Sequence, residues 1–185
     1  MISWMHDSFP GHEVNLVLAR GQSLDALTSG LRELKREPLA QGEAGGWAWA
    51  VHDMIEEDSE DYDNYAEADY RLLCPEGTEL VVFVTEPCSA KAHGPQFHYL
   101  RGGATTLYFS FEDIGQRLGD NPDYISAELL AANLIGPDAE CEEWRTDEGH
   151  DCYEHEADRD IRLVRAIADA FALPSPPLVL EGAAK

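Results

Sequence analysis

Positive charge is scarce in this chain. Thirteen Lys and Arg stand against 36 Asp and Glu, a formal net charge of −23 over 185 residues. A field of that sign repels nucleic-acid phosphates and anionic lipid, which argues against direct nucleic-acid binding and membrane adhesion. Long hydrophobic runs are also missing. The longest are a few residues, such as Leu80 to Val84, too short to span a bilayer. Met1 to Asp7 offers neither a basic segment nor an apolar one, so a signal peptide is not expected. Cysteine is limited to Cys74, Cys88, Cys141 and Cys152, for which reduced thiols and a cytoplasmic location are the expectation.

Catalytic signatures are absent as well. There is no Gly-x-Ser-x-Gly, no Walker loop and no dinucleotide fingerprint. An EF-hand loop needs Gly midway and Glu at its end. Counted from Asp61 those places hold Ala66 and Leu72, and from Asp58 they hold Asp63 and Asp69. Carboxylate pairs suited to a hydrolase will arise by chance among so many acids, and nothing sets one pair apart. Cys74 or Cys88 could meet His93 or His98 as a nucleophile and base, but small loop thiols and a strand histidine are the simpler reading.

What is present is acid in two concentrated stretches. Nine of the 17 positions from Asp53 to Asp69 are Asp or Glu, with no Lys or Arg among them. From Asp138 to Asp160 the acids fill 11 of 23 positions, against only Arg145 and Arg159. Aromatics punctuate both: Tyr62, Tyr65 and Tyr70 in the first, Trp144 and Tyr153 in the second. Carboxylates that steer encounter, mixed with rings that anchor, suit a surface that docks a basic partner. A solvated loop is the plainer alternative for either stretch alone. The candidate partner-binding residues are Glu56, Glu57, Asp58, Glu60, Asp61, Tyr62, Asp63 and Tyr65, with Glu142, Glu143 and Trp144.

Cys141, His150, Cys152 and His155 are the one cluster of zinc-ligand types. Their spacing fits no standard finger, and a His-x-Cys pair on extended backbone points to opposite faces. No metal or cofactor is assigned, and a zinc site there is kept as an alternative.

Apolar residues make up 44% of the chain, enough for one core, so residues 1–185 read as a single domain with acidic inserts at 53–69 and 138–160. Glu13 to Ala19 reads as a buried strand, and Ser23 as the cap of a helix striped by Leu24, Leu27, Leu31 and Leu34, ended by Pro38. Trp47, Trp49 and Val51 share a strand face, more a core pair of tryptophans than a ligand platform. Tyr62 to Leu73 has loose helical spacing. Leu80 to Thr85, Gln96 to Arg101 and Thr105 to Phe111 read as strands, the last two joined by a Gly102-Gly103 hairpin. His98 should lie on the opposite sheet face from Phe97 and Tyr99. Asn121-Pro122 opens a helix through Ile125 and Leu129, and Ile161, Val164, Ala168 and Phe171 stripe a last one, widened by Leu163 and Ile167. The expected fold is α+β: a mostly antiparallel sheet of about five strands, covered by helices on one face.

Several segments resemble a family of uncharacterised bacterial domains common in filamentous soil bacteria. They are Val17-Leu18-Ala19-Arg20-Gly21 before a Leu-striped helix, the Gly45-Gly46-Trp47-Ala48-Trp49-Ala50-Val51 strand, and the meander through Glu79 to Val84, Phe97-His98-Tyr99 and Phe109-Ser110-Phe111. A helix near Pro122-Asp123 and the Ala-rich last helix complete the likeness. It implies a fold and a bacterial cytoplasmic origin, and no site residue. The expected function is therefore that of a non-enzymatic acidic binding protein. It would be an inhibitor or immunity-type protein that neutralises a basic partner, either a toxin or a nucleic-acid-binding protein. The alternatives are the zinc metalloprotein or enzyme, and a scaffold domain kept soluble by its charge.

Overall fold

Val14–Arg20 (β1) carries apolar side chains at consecutive positions and leaves no face for water. Such a strand is stable only inside a sheet covered on both sides. The computed structural model describes residues 8–9, 12–54, 68–85, 94–137, 139 and 153–174, except for the side chains of 153–158. It places β1 in the interior of one sheet. The other strands are β2 (Pro38–Ala44), β3 (Trp47–Asp53), β4 (Glu79–Val84), β5 (Gln96–Arg101), β6 (Ala104–Ser110) and β7 (Asp113–Leu118). Their order is β2-β3-β1-β4-β5-β6-β7, and every pairing is antiparallel.

The sheet thus has seven strands, not the five expected, and the two additional ones are its edges. β2 occupies the place where Pro38 was expected only to end a helix. Pro is tolerated there because it opens an edge strand and has no ladder bond to lose. Gly45 and Gly46, at φ 59° and 81°, make the tight turn from β2 to β3, as Gly102 and Gly103, at φ 53° and 81°, do from β5 to β6. Both central residues at positive φ is the geometry that matches strand twist in a two-residue hairpin.

Helices cover both faces, which corrects the expectation of one. On one face, Val14, Leu16 and Leu18 join Trp47, Trp49, Phe83, Phe97, Tyr99 and Phe109 in the larger core. It is closed by Ile125 and Leu129, around α2 (Ser126–Ala131), and by Leu163, Ile167 and Phe171 of α3 (Tyr153–Phe171). On the other face Val17, Ala19, Ala50, Leu80 and Val82 pack beneath Leu27 and Leu31 of α1 (Leu24–Glu33), and beneath Tyr70 and Leu73. The physical cause is the alternation along β1, whose even and odd positions are both apolar. Burying the largest of these side chains contributes about 2–3 kcal/mol each.

Local details follow the sequence unevenly. Ser23 caps α1 by accepting from the Ala26 N–H, as expected. Tyr62 to Leu73 was expected to be helical; within its described part, residues 68–73, Tyr70–Leu73 form a single 3-10 turn, and residues 62–67 lie outside the described residues. Residues 122–125 form turns, so α2 begins later than Asn121-Pro122 suggested. The buried face of α3 runs through Leu163, Ala166, Ile167 and Phe171, while Ile161 is exposed. Among the described residues, no helix is long and apolar enough to cross a membrane.

Candidate functional site at the foot of the first acidic insert

The first acidic stretch leaves the sheet from the end of β3 and returns through the 3-10 turn. Both points are fastened. On the leading side the Met54 N–H donates to the Glu13 carbonyl at 2.7 Å, and His12 Nδ1 lies 2.6 Å from Asp53 Oδ2. On the returning side the anchor is Tyr70.

The Tyr70 hydroxyl sits in a chain of hydrogen bonds whose direction can be read. A carbonyl can only accept, so His52 Nδ1 donates to the Asp53 backbone oxygen at 2.8 Å. The other nitrogen of the neutral ring, Nε2, must then accept, and it does so from the Tyr70 hydroxyl at 3.1 Å. That hydroxyl accepts from Asn15 Nδ2 at 2.8 Å, and Asn15 Oδ1 accepts the Thr85 N–H at 3.2 Å. Thr85 Oγ1 donates to the Val14 carbonyl at 2.6 Å. One continuous network therefore ties β3, β1, the end of β4 and the 3-10 turn together. Asn15 stands opposite His52 on one side and Val84 on the other, which is why the sheet register brings these groups into one row.

His98 extends the cluster. It lies opposite Val82 and Tyr108, on the face away from Phe97 and Tyr99, as the alternation predicts. Its ring stands edge-on to Tyr108 at 4.7 Å between centroids, and to Tyr70 at 6.3 Å. His98 Nε2 is sealed from solvent and has no hydrogen-bond partner among the described residues. Burial pushes both imidazoles down from the ordinary 6.5 to about 4. For His52 the nearby Arg36 guanidinium adds to the depression. The bond to the Asp53 carbonyl and the Asp53 carboxylate oppose it.

The arrangement acts as a clamp: His52 Nε2, the Tyr70 hydroxyl and Asn15 Nδ2 bond one another, while His52 Nδ1 and Asn15 Oδ1 tie this chain to the Asp53 carbonyl and the Thr85 N–H. The Cys74 thiol is fully buried and engaged with Thr78, while the ring neighbours of His98 are Tyr70 and Tyr108. The structure therefore does not bring Cys74 and His98 together as a dyad, and Cys88 and His93 lie outside the described residues. Trp47 and Trp49 are core residues, Trp47 lying beneath the Arg20 guanidinium at 4.5 Å.

All of the expected partner-binding residues, Glu56 to Asp58, Glu60 to Asp63, Tyr65 and Glu142 to Trp144, lie outside the described residues. So do Cys141, His150, Cys152 and the side chain of His155; the backbone of residue 155 belongs to α3. Among the described residues, no group of three or more His, Cys, Asp or Glu is placed to hold a metal ion. Sequence reasoning passed over His52 and Asn15. Their signal was a polar residue one place from the end of each of two strands whose middles are apolar.

Comparison with protein-family models, with curated proteins and with solved structures finds no match for this chain. The resemblance drawn from the sequence rests on its own residues.

Proposed function

We propose that this chain is a non-enzymatic acidic binding protein, an inhibitor or immunity-type protein that neutralises a basic protein partner in the bacterial cytoplasm. The partner is a toxin or a nucleic-acid-binding protein whose cationic cleft the carboxylates occupy. The observation that carries this reading is the distribution of charge: two stretches hold 20 of the 36 acidic residues. The clamp supports it. Binding segments gain from a rigid base, because less ordering entropy is lost on docking. The first acidic insert departs from and returns to a sheet end locked by His52, Tyr70 and Asn15. Acidic side chains near Glu56 to Asp63 would steer a basic partner, and Tyr62 and Tyr65 would supply anchors.

The experiment is capture on the immobilised chain with elution by a salt gradient, followed by mixing of the purified components. A basic protein that binds at a one-to-one ratio and is released by moderate salt supports the proposal. Retention of no protein from any source that carries a candidate toxin overturns it.

A further inference from the structure

We propose that Arg20 and Arg101, which share Glu79 at the end of the sheet opposite the first acidic insert, form a binding site for a carboxylate. This goes beyond the binding reading and does not depend on it, because the site uses neither acidic stretch.

Sheet register builds the site. Arg20 ends β1, Glu79 opens β4 and Arg101 ends β5, and the three stand opposite one another in a single row. The row lies on the larger-core face, two residues beyond Leu18, Val81 and Tyr99. Glu79 Oε2 accepts from Arg20 Nε at 3.1 Å and from Arg20 Nη2, and Arg101 Nε lies 3.6 Å from Glu79 Oε1. The Arg20 guanidinium also rests on the Trp47 ring, 4.5 Å from its centroid. Both forks are thereby positioned before a ligand arrives, which lowers the ordering cost of binding one.

Charge and hydrogen-bond donors are both in surplus here. Arg32, Arg71 and Arg117 each face a carboxylate of their own, Glu37, Asp69 and Asp123. Glu79 serves two guanidiniums, so this row carries one uncompensated positive charge in a chain of −23. Arg20 Nη1 and both terminal nitrogens of Arg101 have no partner among the described residues, and the two side chains are 44% and 59% exposed. The Tyr99 and Tyr124 hydroxyls lie 3.4 Å apart. One donates to the other, which leaves one O–H without an acceptor among the described residues. Burial and the Tyr124 hydroxyl hold the Tyr99 proton in place well above the ordinary phenol range, and the charges of Glu79 and Arg101 both reach it. Forked N–H donors beside a neutral O–H match the two oxygens of a carboxylate. One negative charge cancels the surplus, whereas a phosphate dianion overshoots it. Repulsion from the first insert is screened: Trp47 and Asp53 stand at opposite ends of β3, about 20 Å apart, roughly two Debye lengths at 0.1 M salt.

NMR of the arginine Nε–H groups in the full chain tests the site, with sodium acetate titrated against sodium chloride at matched ionic strength. The expected result is saturating shifts at Arg20 and Arg101 with acetate, while Arg32, occupied by Glu37, stays unchanged. Arg101→Gln keeps the fold, since that side chain is mostly exposed, and the affinity read at Arg20 falls roughly fivefold, the upper end for an exposed charge pair. A tetraglutamate peptide blocked at both ends separates the sources. Tighter binding than acetate assigns the site to an acidic protein segment, and binding no tighter assigns it to a free organic acid. Acetate shifts that never saturate, that chloride reproduces, or that keep their full affinity in Arg101→Gln overturn the site.

Discussion

Acidification should cost this protein stability through His52, and the size of the effect follows from its burial. The imidazole is fully buried and held near 4, against 6.5 when exposed. Between those values the unfolded chain binds a proton that the folded chain does not. Stability is therefore complete above about pH 6.5 and is lost as pH falls through 6.5 towards 4. Going from pH 7 to pH 5 removes about 2 kcal/mol for this one group. The net charge of −23 acts oppositely, because protonating carboxylates relieves repulsion, so wild-type stability alone does not isolate the histidine. The comparison that does is with His52→Gln. At pH 7 the variant should be less stable by about 2–3 kcal/mol, having broken a buried chain of hydrogen bonds. At pH 5 the deficit should shrink to about 1 kcal/mol or less, because there only the wild-type chain takes up a stability-costing proton at this position on unfolding. Urea unfolding followed by the fluorescence of buried Trp47 and Trp49 measures both. An equal deficit at the two pH values would refute the reasoning.

Tyr70→Phe keeps the ring but strips the hydroxyl from between His52 and Asn15, and should cost about 1–3 kcal/mol in urea unfolding, with no change in the far-ultraviolet spectrum. Gly42→Ala places a Cβ 2.8 Å from the Trp49 indole, so it should destabilise by about 1–3 kcal/mol and shift tryptophan emission. Phe171→Ala removes a ring packed on Phe97, Tyr99 and Tyr124, and should cost about 3–5 kcal/mol. Metal analysis of protein purified without chelators should find zinc far below one equivalent. A stoichiometric content lost on Cys141→Ser would move the reading to the metalloprotein.

The interior of the fold was readable because its signals are strong and local. β1, β3 and β4 are apolar at successive positions, and alternation placed His98 opposite Phe97 and Tyr99 correctly. The edges were not readable from hydrophobicity. Pro38-Leu39-Ala40-Gln41-Gly42-Glu43-Ala44 has neither alternation nor β-branched residues, since an edge strand half open to water needs little of either. A Gly-Gly pair marked the turn at Gly102-Gly103; Gly45-Gly46 carries the same turn signal, but it was not read as a hairpin and β2 was missed. The apolar stripe of α3 contained the buried Leu163, Ile167 and Phe171 and failed at Ile161, which is exposed, because apolar residues spread around more than one side of the helix. The clamp was hidden for another reason. Asn15, His52, Tyr70 and Thr85 are far apart in sequence, and only strand register makes them neighbours. Tyr70 had been grouped with the aromatics of the acidic stretch, whereas its hydroxyl faces inward to His52.

The central claim is that carboxylates of the inserts capture a basic partner. Its most direct test is the association rate with the captured protein at several salt concentrations. The wild-type chain is compared with one bearing Glu56→Gln, Glu57→Gln, Asp58→Asn, Glu60→Gln and Asp61→Asn. The account predicts a wild-type rate that falls steeply with salt, and a variant that associates more slowly at low salt with a nearly unchanged dissociation rate. A rate indifferent to salt and to all five substitutions would contradict it.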